Sequence, residues 1–524
     1  MSTTTVTDPH QKRTVRLVFA ALMLVMLLAS LSQTVLSTAL PTIVGSLDGA
    51  DHIAWVMTAY LLGMTVTMPI YGRLGDRLGR KPMLLLAIVL FTIGSLVGAL
   101  AQDMTVLIAG RAVQGLGGGG LMVLSQAAIA DVVPARERGK YMGILGAVFG
   151  LSSVAGPLLG GWFTEGPGWR WTFWINVPLG VLAFAAVVML LHIPAVEQAR
   201  TRVDRLGMAL LAIATSALIL AATWGGHQYD WNSPQIIGLA VTTVVAAIAF
   251  VLVERRAEEP VMPLALFRDR NFNLTTVGVI ILGVAMFGSL SYLPTYLQMS
   301  VGVDATHAGL MMIPMMGGML VTSITVGQAV SRTGRYRWYP IAGALVTGLG
   351  LFLLSTIDIG DSRWVIEGSL LVLGIGIGLG MQVLTLIVQN SFSHRIVGTA
   401  TAANNFFRQV GGTLGAAAVG SIFTSRLTES LSTKLPAAGG GSSSLTPDSV
   451  AQLPQEIHDI VVGAYNEALM PIFLWLAPLT LVSAAVLWFV HEKPLRHTIE
   501  AAKKDESFGE QTLDAAEAMT GAER

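Results

Sequence analysis

The stretch LVFAALMLVMLLASLSQTVLSTAL, residues 17–40, decides the fold. It carries no charge over a length that, at about 1.5 Å per helical residue, matches the roughly 30 Å hydrocarbon core of a bilayer. Lys12, Arg13 and Arg16 precede it. It is too long for a signal-peptide core and shows no small-residue cleavage site, so it reads as an uncleaved first membrane span. Apolar runs of about 18 to 25 residues recur at 53–71, 83–101, 105–130, 141–163, 173–192, 207–224, 235–253, 274–298, 307–330, 338–357, 365–388, 399–423 and 469–490. The expected fold is an all-α integral membrane protein of fourteen transmembrane helices.

Composition closes off other classes. Of 524 residues, 53% are hydrophobic and 12% charged, about half the charged share of a soluble domain. Lys plus Arg and Asp plus Glu balance at 32 each, so net charge points to no nucleic acid. Cysteine is absent, which excludes disulfides, thiolate metal sites and a Cys nucleophile; no metal or cofactor is expected. An intramembrane enzyme would need a His and a carboxylate converging at one depth, and His192, His307 and His394 fall near different membrane ends.

Basic residues cluster in alternate short loops: Arg73, Arg77, Arg80 and Lys81; Arg136, Arg138 and Lys140; Arg200, Arg202 and Arg205; Arg255, Arg256, Arg268 and Arg270; Arg332, Arg335 and Arg337. The positive-inside rule makes these loops cytoplasmic and puts both termini inside. The longest opposite connection, about 425–468, is acidic, with Glu429, Asp448, Glu456, Asp459 and Glu467, and its Ala437–Ser444 stretch should be flexible. The expected location is the cell membrane, inner or plasma, as a multi-pass monomer.

Within the first basic loop, glycines permit a sharp turn between antiparallel helices, while Asp76 sits among Arg73, Arg77, Arg80 and Lys81. A carboxylate there can pair with a basic side chain or accept from a helix N-terminus. The run GRLGDRLGRK at 72–81 has a degraded echo, GQAVSRTGRYR, at 327–337. Two halves carrying one device suggest a repeat-built transporter with its site between them. The division expected is 1–206 and 272–490 as pseudo-symmetric six-helix bundles, 207–271 as two extra helices, packed peripherally, with a linker, and 491–524 as a polar tail.

Several polar residues sit at membrane depth. Arg111 lies within the fourth span, where a guanidinium must face protein or water. Arg408 lies roughly 15 Å into the thirteenth span at 1.5 Å per residue. Thr401, Asn404, Arg408 and Gly412 share one helical face, with Asn405 and Gln409 beside it. The face serves either an interhelical hydrogen-bond network or a cavity. Gln33, Thr34 and Ser37 form a polar stripe on the first span that lines a pocket or bonds a neighbour. Met311, Met312, Met315, Met316 and Met319 form a stripe on the tenth span, which is either packing or, with Phe287, Tyr292 and Tyr296, the lining of an adaptable pocket. On the fifth span, Gly156-Pro157-Leu-Leu-Gly160-Gly161 allows close helix approach, and the proline frees the carbonyl of Ser153.

The loop at 72–81 resembles the G-x-L-x-D-R-x-G-R-K signature of the major facilitator superfamily, specifically its fourteen-span drug:proton antiporter branch, through Gly72, Leu74, Asp76, Arg77, Gly79, Arg80 and Lys81. The resemblance implies that Asp76 latches the start of the thirteenth span near Gly398–Thr401 and that Arg80 pairs Asp131. Arg111 to Gly117 is similar to the family's R-x-x-Q-G-x-G proton-transfer motif. Gly143, Gly156, Pro157, Gly160 and Gly161 resemble its exporter motif, with Ser152 replacing one glycine. The first span resembles L-D-x-T-I-V-N-V-A-L-P, but Ser32 stands where aspartate is usual. That removes the buried carboxylate expected to carry protons. Proton or coupling candidates are therefore Arg111, Glu165, Glu367 and Arg408. Cavity candidates are Ser32, Gln33, Ser37, Phe287, Tyr292, Met311, Met315, Asn404, Asn405 and Arg408.

The function implied is secondary active transport: a proton-coupled antiporter of the multidrug-efflux, antibiotic-resistance type, exporting amphipathic or lipophilic drugs by alternating access. The implied partners are protons, lipophilic or cationic small molecules and membrane lipids. The alternative is the same fold exporting one metabolite, lipid or siderophore-like compound.

Overall fold

A computed structural model describes residues 9–47, 52–191, 204–226, 228–434, 450 and 453–495. The polar tail beyond 495, Ala437–Ser444, Arg200 and Arg202 lie outside the described residues. Among the described residues the structure is helical, with one isolated bridge, Gly225 to Tyr229, and no strand. Helices are the natural outcome in lipid, where each backbone N–H and C=O must be satisfied within its own segment. In chain order they are α1 (Pro9–Ser46), α2 (Ile53–Leu78), α3 (Arg80–Ala99), α4 (Met104–Val132), α5 (Ala135–Glu165), α6 (Trp171–Trp174), α7 (Asn176–Leu190), α8 (Arg205–Trp224), α9 (Pro234–Glu254), α10 (Arg270–Leu290), α11 (Leu293–Ser300), α12 (Ala305–Met311), α13 (Ile313–Thr333), α14 (Trp338–Ser355), α15 (Arg363–Ser391), α16 (Val397–Lys434) and α17 (Gln455–Trp488).

Polar caps set many of the helix starts. Asp103, Asp204, Ser233, Asp269 and Asp304 accept from the backbone N–H of Val106, Gly207, Ile236, Phe272 and His307, satisfying first-turn donors. Proline breaks explain the shorter pieces: α10 and α11 divide before Pro294, and α12 and α13 divide at Met312 before Pro314. Twelve segments among the described residues are long and apolar enough to cross a membrane, with Trp171–Leu190, Arg270–Ser300 and His307–Thr333 each counted as one. The count of fourteen exceeds this by α2 and α16, whose inward faces carry polar groups.

Two departures from the sequence reading concern connections. The stretch 425–468 is not a simple loop: α16 continues to Lys434 and α17 starts at Gln455. The extensions stay helical because Leu427, Leu431, Val461 and Tyr465 keep packing against each other, and Lys434 pairs with Glu467 at 2.6 Å. The extra hairpin α8–α9 is not merely peripheral either. The helix α9 faces outward, with Val241, Val245 and Ile248 exposed, but α8 packs against both α2 and α16. Trp224 meets the Trp55 ring edge-on at 5.4 Å, and the Trp231 indole donates to Ser421 Oγ at 3.1 Å.

The basic loops converge on one face. Arg73 pairs with Glu259 after α9, Lys493 with Asp269 at 2.8 Å, and Arg136 donates to the Arg332 carbonyl at 2.8 Å.

Candidate functional site

Two joints close the basic face, and a glycine at positive φ stands behind each. Gly79 between α2 and α3 and Gly334 between α13 and α14 adopt φ of 95° and 74°, a left-handed geometry that favours glycine. One turn earlier on α2, Asp76 reaches across to α16. Its carboxylate accepts from Gly398 N (3.1 Å), Thr399 N (2.6 Å) and Thr399 Oγ1 (2.8 Å). The two backbone N–H groups are otherwise orphan donors of a helix start, where the helix dipole also favours an anion. Arg80 is buried between Asp76 (3.1 Å) and Asp131 (3.0 Å) and donates to the Ala127 carbonyl. His394 Nδ1 lies 3.5 Å from the other Asp131 oxygen. Lys81 turns away and donates to the Val188 carbonyl at 2.8 Å. At the second joint, Ser331 occupies the place in the echo that Asp76 has in the first motif. Its hydroxyl accepts from Lys140 N of α5 at 3.1 Å. Gly72 abuts Gly398 and Ala402, and Gly327 abuts Gly139, so close that a methyl on either would collide.

Midway along the helices lies an open cavity with about 690 Å³ of empty space, open solvent at its mouth included. Eight helices contribute: α1, α2, α4, α5, α10, α13, α15 and α16. Six methionines line it, namely Met26, Met64, Met122, Met286, Met319 and Met381, together with Phe287. Its polar lining is Gln33, Tyr60, Gln126, Gln382, Gln409 and Arg408 with the small Ser30. Arg408, 5% exposed, donates from Nη2 to Asn405 Oδ1. Asn405 Nδ2 in turn donates to Gln126 Oε1 of α4 at 2.8 Å, so the arginine is held by a bond that joins α16 to α4.

Arg111 is fully buried beside this cavity. It donates to Val56 O (3.2 Å) and Gln114 Oε1 (2.5 Å), and its guanidinium lies 4.1 Å from the Tyr60 ring centre. Gln114 Nε2 then donates to Ser32 Oγ (2.9 Å) and Ser95 Oγ (2.7 Å), and Asn176 approaches Ser32 at 3.4 Å. Ser32 therefore belongs to this network and does not line the cavity.

A family profile described as Major Facilitator Superfamily matches residues 22–416. The chain belongs to the Major Facilitator Superfamily. This transporter is 41% identical over 483 residues to an uncharacterized MFS-type transporter of Mycobacterium tuberculosis, covering 91% of this chain and 70% of that one. It is 34% identical to the multidrug transporter protein MdtP of Bacillus subtilis, covering 88% of this chain and 89% of that protein. The solved structure of the MFS proton:xylose symporter XylE shares the fold, with a TM-score of 0.62 at 16% identity, covering 94% of this chain and all of that one.

The transporter's other candidates lie apart from the cavity. Ser37 is exposed and donates to Thr34 O. The Tyr292 hydroxyl donates to Ala416 O, and Asn404 is buried within α16. Met311 and Met315 are packed in the core of the second half, and only Met319 of that stripe reaches the cavity. Glu165 is exposed at the end of α5, and Glu367 pairs with Arg363 at 2.5 Å. In the glycine motif, a Cβ on Gly143 would meet the Ser323 carbonyl of α13, whereas Gly156 and Gly160 face Thr34 and Val35 of α1. Pro157 lies near Gly309, and Gly161 has open space. Helix α5 is thus wedged between α1 and α13. Gln126 and Gln382 are not among the residues that the sequence singles out, and Ser331 stands there only as part of the echo at 327–337. The first two are isolated amides in apolar helices, and that isolation was the available signal.

Proposed function

We propose that the transporter exports amphipathic small molecules in exchange for protons, by alternating access to the central cavity. The observation that carries this is the cavity itself: polarizable methionines give it an adaptable lining, a few convergent polar groups orient a ligand, and both joints close it toward the basic face. The name of MdtP, a multidrug transporter, supports the drug class. The glycine motif on α5 supports export. Proton exchange rests on the family resemblance; no carboxylate lines the cavity among the described residues, so the exchange is assigned to the cycle and to no single residue.

In this reading α2 and α16 also cross the bilayer, which makes fourteen spans. Their polar residues face the cavity and the joints rather than lipid, which lowers their apolar content without exposing charge. The basic face is cytoplasmic, both termini lie inside a plasma membrane, and the monomer works by rocking 1–206 against 272–490. Inverted membrane vesicles test it: uptake of an amphipathic dye, abolished by a protonophore, is expected. Uptake indifferent to the protonophore removes proton exchange, and no uptake above vesicles lacking the protein removes export.

A further inference from the structure

We infer that the cavity selects amphipathic organic anions, compounds with a carboxylate, sulfonate or phenolate on an apolar body. The inference deepens the export reading and rests on it. Among the described residues lining the cavity, Arg408 is the one charged group. A guanidinium has five N–H donors, and among the described residues Asn405 is the one hydrogen-bond acceptor that Arg408 meets. Gln33, Gln126, Gln382 and Gln409 are neutral amides that can bond a ligand but cannot balance charge.

The residues behind the lining add to the imbalance. Arg111 lies against the far side of Tyr60, whose ring borders the cavity, and its partners are the Val56 carbonyl and the neutral Gln114. Ser32, at the end of that chain of bonds, is uncharged. The described carboxylates sit elsewhere. Asp76 and Asp131 are engaged by Arg80 at the basic face. Glu367 is engaged by Arg363 at the opposite end of α15, and Glu165 is exposed. The middle of the protein therefore holds two guanidinium groups and no carboxylate among the described residues. Like charges repel strongly at low dielectric, so a cationic ligand would add a third positive charge, whereas an anion neutralises the one that faces it.

The test uses two xanthene dyes of similar shape and opposite charge, fluorescein and tetramethylrhodamine ethyl ester. Each is titrated by fluorescence anisotropy against the full chain in phosphatidylcholine nanodiscs. Wild type is expected to bind fluorescein about tenfold more tightly than the rhodamine. Arg408→Lys should keep that preference, Arg408→Gln should reduce it to about threefold or less, and Gln33→Glu should shift it toward the rhodamine by placing a carboxylate in the cavity. Equal binding of the two dyes by wild type, absence of binding included, overturns the inference, as does an unchanged ratio in Arg408→Gln. Fluorescein binding lost in phosphatidylglycerol discs would give the site to a lipid headgroup and overturn it as well. Anion-selective binding without vesicle uptake would refute export while leaving the anion site standing.

Discussion

The two joints on the basic face are built on one plan with different chemistry. At the first, a carboxylate on α2 takes up the open N–H groups at the start of α16; at the second, a hydroxyl on α13 accepts a single backbone N–H from α5. Both have a glycine one turn before the acceptor and a left-handed glycine after it. The charged joint also ties in Arg80 and, through it, Asp131, so its loss propagates to a buried network. The second joint has no carboxylate; it stands on close glycine contact, the Ser331 bond and Arg136 of α5, which donates to the Ser331 and Arg332 carbonyls. The lesson is that the same contact plan can yield a strong charge-assisted latch on one side and a packed seam on the other, so the two sides should respond to mutation very differently.

The largest effect is expected from Asp76→Asn. Hydrogen bonds to charged groups contribute about 1.5–3 kcal/mol, and uncoupling a buried pair costs about 3–5 kcal/mol. Transport should fall more than about tenfold, and a reporter in the cavity should become accessible from the basic face. The chain has no cysteine, so one introduced at Met319 can be followed by maleimide labelling without background. Normal transport with unchanged labelling would erase the distinction between the joints.

Gly327→Ala comes next. A Cβ there would lie 2.3 Å from the Gly139 carbonyl oxygen, a backbone clash expected to cost about 1–3 kcal/mol. It should lower the unfolding temperature in a thermal-shift assay. Ser331→Ala removes one bond worth about 0.5–1.5 kcal/mol, a factor of about two to twelve, so transport should fall less than with Asp76→Asn. A loss as large as that of Asp76→Asn would mean that the second joint is also a latch. The smallest effect is expected from Glu165→Gln: the side chain is exposed and outside the cavity, so the pH dependence of uptake should match wild type within error.

Much of this was legible in the sequence because the signals are local. Oil content over a bilayer's length marks the spans, and the spacing of Gly72, Asp76, Gly79 and Arg80 marks a turn with an anion poised near a helix start. The contact of Asp76 with residues 398–399, and of Arg80 with Asp131, could be named beforehand from the family pattern. Which polar groups face the cavity was not legible, because helix rotation is set by tertiary packing. Met311, Met315 and Met319 follow a regular helical stripe, yet the break at Met312 before Pro314 offsets the first part of that stripe, and one of the three reaches the cavity. The helical extensions beyond residue 425 were hidden for a related reason: their polar exterior looks like a loop, while Leu427, Leu431 and Tyr465 continue the core.

The hairpin of α8 and α9 has a mechanical consequence. It is fastened to α2 by Trp224 on Trp55 and to α16 by Trp231 on Ser421, so it works as a tether across the rim of the seam between them. Parting that rim must either stretch the tether or release one end. The indole bond alone, worth about 1 kcal/mol, biases the balance of closed over parted rims by roughly fivefold. In the proposed cycle, the added pair of helices weighs against parting of that rim by the strength of these two contacts.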